Sequence, residues 1–152
     1  MMAQMFLALV IMAAGGGGPQ TSYGDKAVLL GSWRAESYTM KDGPTHVVDG
    51  LIVFTRQDWS VVFFVVGEAG ALTRGAAEAG TYTADDRRLV LTHHYHLSSG
   101  RAVAGLPESP LRMERNRADT AAIEPCTYSR VGDRLRIDFP SGNSMTFRRI
   151  GS

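Results

Sequence analysis

Leu29-Leu30-Gly31-Ser32-Trp33-Arg34 near the start of the chain and Phe147-Arg148-Arg149-Ile150 at its far end are the stretches that decide the fold. The first places a glycine and a tryptophan in an alternating run. The second closes another such run with arginine. Between them the dominant spacing is two residues, not 3.6, which marks strands with unlike faces. Leu29, Gly31, Trp33, Ala35 and Ser37 share one face of the first strand; Ser32, Arg34, Glu36 and Tyr38 share the other. A strand meander that brings these two ends together must curl. The spacing therefore predicts an all-β fold, an antiparallel up-and-down β-barrel of about eight strands.

Working outward, Gly50 to Thr55 and Trp59 to Val66 form a hairpin across Arg56-Gln57-Asp58. In its second strand Trp59, Val61, Phe63 and Val65 oppose Val62, Phe64 and Val66, so both faces are apolar and the outer one needs a cover or a partner subunit. Gly67 to Ala79 is Ala-rich and breaks the alternation, which suggests a helical turn or a loop. Gly80 to Thr83 is a short strand and Arg88 to Leu97 a longer one. Ser98 to Pro110 is a second loop, Leu111 to Asn116 a weak strand, and Ala121 to Arg130 a strand that Pro125 demotes to an edge or bulged position. Arg134 to Phe139 and Ser144 to Arg149 flank Pro140-Ser141-Gly142-Asn143 as the cleanest hairpin, with Leu135, Ile137, Phe139, Met145 and Phe147 on one face.

Length and composition bound the function. The 152 residues fit one domain, with 44% hydrophobic and 20% charged residues. Sixteen basic and 15 acidic side chains leave a net charge of +1, without the positive patch that nucleic acid or an anionic membrane requires. The lone Cys126 excludes an internal disulfide and reads as a small buried hydrophobe. Met5 to Ala14 is an apolar run of signal-peptide length, too short to span a bilayer, although no Lys or Arg precedes it. Residues 1–26 are thus expected to be a leader with a Gly-rich linker, and 27–152 the barrel domain. The expected location is periplasmic or secreted, or cytoplasmic if the leader is a mis-assigned start.

The order and spacing of several pieces resemble the bacterial lipocalin-like (calycin) domains over roughly Ala27 to Ile150. These pieces are Leu30 to Arg34, Gly50 to Thr55, Ala79 to Thr83, Leu89 to His94, Gly132 to Leu135 and Phe147 to Arg149. The resemblance implies that the first-strand tryptophan, here Trp33, closes one end of the barrel and that a last-strand arginine lies over its ring. With Phe147 inward, Arg149 is the candidate for that role. A guanidinium over an indole contributes about 0.5–2 kcal/mol. The resemblance also implies a small hydrophobic or amphipathic ligand in the interior.

Alternation supplies candidates for such a site. Leu89, Leu91, His93, Tyr95 and Leu97 share the face expected to look inward; Val90, Thr92, His94 and His96 share the other. Phe54, Phe63, Leu91 and Met145 would form the apolar wall, with Tyr82, His93 and Tyr95 at the polar end and Ser37 or Arg115 as further polar partners. Such a site should open an interior on the order of 300 Å3 or more. His94 and His96 offer two metal ligands where about three or more are normally needed, so neither metal nor other cofactor is expected. There is no Gly-x-Ser-x-Gly elbow and no phosphate-cradling loop, and no residue is marked as catalytic. A small enzyme using His93 and a filled barrel that self-associates, a homodimer through Val62, Phe64 and Val66, are the alternatives.

Overall fold

The computed structural model describes residues 23–151, so the apolar run of the expected leader lies outside the described residues. A short helix α1 (Tyr23–Leu29) precedes nine strands: β1 (Gly31–Thr39), β2 (Thr45–Phe54), β3 (Asp58–Val66), β4 (Leu72–Asp85), β5 (Arg88–Gly100), β6 (Ser109–Arg115), β7 (Ala122–Val131), β8 (Arg134–Asp138) and β9 (Ser144–Arg149). Each strand pairs antiparallel with its neighbours in the order β4-β3-β2-β1-β9-β8-β7-β5-β6, and β4 also pairs with β5. That extra pairing closes an eight-stranded antiparallel barrel, with β6 as an appendage. No described helix is long and apolar enough to cross a membrane.

Trp33 pairs with Arg149 in the β1–β9 register, and the Arg149 guanidinium carbon lies 4.9 Å from the centre of the indole. Arg149 also donates to the Leu30 carbonyl at 2.8 Å, and Trp33 Nε1 donates to the Leu29 carbonyl at 2.8 Å. A second guanidinium, Arg130, sits 5.5 Å from the same ring and donates to the Val28 carbonyl. The helix end and the two strand ends are thereby tied into one plug, in which Leu29 and Trp33 are fully buried. Gly31 makes the corner: its φ of 111° disfavours any side chain, and a Cβ there would meet the Arg149 guanidinium at 3.3 Å.

Several expectations need correction. Leu29 ends a helix and does not begin a strand. The Ala-rich Gly67 to Ala79 segment contributes only a 3-10 turn (Glu68–Gly70) before β4 takes it up from Leu72. Its alanines and glycine lie over β3, where Gly75 is opposite Phe64 and a Cβ would meet that ring at 2.7 Å. Small residues here make room for aromatic neighbours. Pro125 pairs with Val90 of β5 but lies beyond the stretch of β7 that pairs β8, so its missing N–H costs no ladder bond on that side.

Two bulges set which side chains face inward. In β1, Ala35 is opposite Phe147 and Ser37 opposite Thr146, leaving Glu36 as an extra residue. In β5, His93 is opposite Gly80 and Tyr95 opposite Ala79, leaving His94 as the extra. Each bulge shifts the alternation by one for the rest of its strand. At His94 the strand also changes partner: β7 runs along Arg88–His93, and β6 along the stretch from Tyr95 to Gly100. Asn116 holds the switch, its backbone N–H donating to the His94 carbonyl at 2.8 Å and its Nδ2 to the His93 carbonyl at 3.3 Å.

Candidate functional site

Inside the barrel, above the Trp33 plug, lies a cavity of about 190 Å3. Its wall is formed by Tyr38, Ile52, Trp59, Val61, Phe63, Leu91, Ile137, Phe139, Met145 and Phe147, with Glu78, Glu124 and Ser141 as its polar members. This is smaller than the interior expected from the sequence, because the side chains of β8, β9 and β3 fill much of the barrel. It is nonetheless larger than the roughly 150 Å3 space that accommodates benzene in an apolar protein core.

Phe63, Leu91 and Met145 line this cavity, as alternation places them. The other expected members lie elsewhere. Phe54 and Tyr82 pack edge to face at 5.1 Å in the core, where Tyr82 donates to the Thr55 carbonyl and carries Lys26 Nζ over its ring. Ser37 lies beyond the β1 bulge on the outer face, bonded to the Thr146 hydroxyl at 2.6 Å; its neighbour Tyr38 takes the inward position. Tyr95 lies beyond the β5 bulge and is 56% exposed, while His96 turns inward in its place. His94 and Tyr95 border the same outer cleft, and Arg115, opposite Tyr95, is exposed.

His93 stands one layer behind the cavity wall at the centre of an ion network. Its Nδ1 is 2.8 Å from Glu78 Oε2 and its Nε2 is 3.1 Å from Glu124 Oε2. The second Glu78 oxygen is 2.8 Å from His96 Nδ1, and His96 Nε2 reaches the Ser98 hydroxyl at 2.9 Å. The Trp59 ring covers His93 edge to face at 5.1 Å. With a carboxylate on each nitrogen, the imidazole is held in its protonated form: hydrogen bonds to Glu124 and then to Glu78 outweigh burial and raise its pKa from 6.5 to about 9. Burial pushes the Glu78 carboxyl up, but His93 and His96 together overcome it, and its pKa is lowered. Two carboxylates against one imidazolium leave the group with one net negative charge.

An imidazolium whose two N–H groups are both taken has no free lone pair to act as a general base. The network suits holding charge at a fixed place. Glu124 also lines a second, more open cleft of about 430 Å3, shared with His93, His96, Asn116 and Pro140, where β5 changes partner. The network therefore stands between the interior and the barrel's outer surface. Among the described residues no group of three or more His, Cys, Asp or Glu side chains is arranged to hold a metal ion. Cys126 is buried, and burial first, then Glu124 and Asp138, push its thiol up to about 12.

Glu78 and Glu124 are not among the residues that the sequence pattern singles out, nor are Tyr38 and Trp59 as wall residues. A signal for Glu78 exists: alternation counted back from buried Tyr82 passes through Gly80, Glu78, Ala76 and Arg74. Glu124 likewise shares the parity of buried Cys126 and Tyr128.

On the outer face an apolar row crosses five strands, Leu51 opposite Val62, Val62 opposite Ala77, Ala77 opposite Leu97 and Leu97 opposite Met113. Phe64 is 39% exposed nearby. No protein-family model matches the chain, and neither the curated proteins nor the solved structures yield a match.

Proposed function

We propose that the protein is a lipocalin-like binding barrel that holds a small, compact hydrophobic or amphipathic molecule in its interior. The observation that carries this is the cavity of about 190 Å3, apolar on most of its wall, with the Glu78 and Glu124 carboxylates, one on each nitrogen of His93, among its few polar members. Ligand sites combine these features: apolar area for affinity and a few convergent polar groups for orientation. The volume limits the ligand to roughly six to ten non-hydrogen atoms, judged against benzene in its cavity. A ligand of that size binds with micromolar to millimolar affinity, on the order of −4 to −8 kcal/mol.

Trp59 reports on the cavity because its ring lines it. Titration with a panel of small aromatic and aliphatic molecules should change its fluorescence and raise the unfolding temperature. Val61→Phe, which places a phenyl ring in the space, should fold and lose the response. A panel without a binder, or a response that survives Val61→Phe, removes this function.

A second reading, self-association, is favoured by the apolar row on the outer face, which spans β2 to β6 and bears Val62 at 41% exposure. Sedimentation should then show a dimer that Phe64→Glu converts to monomer; a wild-type monomer at all concentrations refutes it.

A further inference from the structure

The interior site has a chemical preference of its own, which depends on the binding role proposed above. We infer that the ligand's polar end is a protonated amine, seated against Glu124 and Glu78, with a compact aromatic or branched hydrocarbon body in the chamber. Among the described residues, Glu78 and Glu124 are the only carboxylates on the cavity wall, and no cationic side chain lines it. Glu78 spends both oxygens on His93 and His96. Glu124 uses one oxygen on His93, and its other accepts no hydrogen bond from the described residues. At 31% exposure that carboxylate is open to a donor arriving from the cavity or the adjoining cleft.

An ammonium group supplies what this corner lacks: a positive charge against the net negative one and N–H donors for the open oxygen. The rings of Tyr38, Trp59, Phe63 and Phe139 furnish the rest of the wall, and their faces attract a cation as well as a hydrocarbon. A carboxylate ligand would face two like charges. The one cation on β4 toward the same end, Arg74, does not relieve this, because its guanidinium donates to the Pro107 carbonyl at 2.9 Å and to the Arg101 carbonyl at 3.4 Å.

The test compares three probes of one shape on the full chain at pH 7, 2-phenylethylamine, 2-phenylethanol and phenylacetate, by calorimetry and Trp59 fluorescence. The amine should bind at least about tenfold more tightly than the alcohol, and phenylacetate most weakly of the three. Glu124→Gln should erase the amine's advantage over the alcohol. His93→Gln, which removes the competing internal cation, should widen that advantage; a merely structural network would lose it. Binding of the alcohol or phenylacetate as tightly as the amine overturns the inference and leaves the hydrophobic site standing. Binding of none of the three overturns both.

Discussion

Replacing His93 by Gln tests the network through its dependence on pH. In the folded chain His93 holds its proton up to about pH 9, against 6.5 for an unconstrained imidazole. Between those two values the native state is protonated and the unfolded state is not. Stability must therefore fall as pH rises across this window, being fully present below about 6.5 and lost through about 9. At 1.36 kcal/mol per tenfold, the displacement corresponds to about 3 kcal/mol. Glu78 and Glu124 retain 23% and 31% exposure, so water screens part of the attraction. A drop of about 1–2 kcal/mol is the expected size after that screening. Glu78 acts in the opposite sense: its lowered pKa adds stability above its ordinary value of 4.5 that is lost as pH falls through the folded value. Urea denaturation at intervals from pH 5.5 to pH 9 should show wild type losing this amount relative to His93→Gln, and thermal melts over the same range a matching fall of about 3–6 °C in unfolding temperature. The Cys126 thiol does not intrude, because its folded pKa of about 12 affects stability only above the unfolded thiol value near 9. Parallel profiles for the two proteins across pH 6.5 to 9 would refute the buried imidazolium.

The barrel itself gives further expectations. Arg149→Ala removes the guanidinium over Trp33 and its bond to Leu30, and should cost about 1–3 kcal/mol in chemical denaturation; no measurable loss would mean that Arg130 alone holds the plug. Gly80→Ala would place a Cβ 1.7 Å from the Thr92 carbonyl oxygen, so β4 and β5 must part. That variant should lose more than about 4 kcal/mol and fail a soluble-expression assay. Tyr95→Phe lies on the outer surface and should change stability by less than about 0.5 kcal/mol, without effect on ligand titrations; an effect on binding would place that ring inside.

Contrast between neighbouring side chains decides how much of the barrel is legible in the sequence. In β8 and β9, Leu135, Ile137, Met145 and Phe147 alternate with arginines, serine and threonine, and their burial follows the pattern. In β3 the inward set Trp59, Val61, Phe63 and Val65 is legible although both faces are apolar, because the hairpin fixes its register. The alanines of β4 carry no such contrast, so a 14-residue strand reads as a loop. The misplacement in β5 has a different cause. Nothing in Thr92-His93-His94-Tyr95 announces an unpaired residue, since the bulge at His94 is imposed by β5 leaving β7 for β6, a contact remote in sequence. Ser37 is displaced by the equivalent irregularity in β1. The polar corner of the site is therefore hidden from alternation, while part of its hydrophobic wall is visible.

The two bulges have a consequence for how such a chamber can change. Removing His94 would return Tyr95 to the interior and expel His96, while every residue along Arg88–His93 stayed as it was. Adding or dropping a single residue in a wall strand thus exchanges one half of the lining for the side chains that formerly met solvent. The chemistry of this interior depends on an odd or even count of residues as much as on which residues they are.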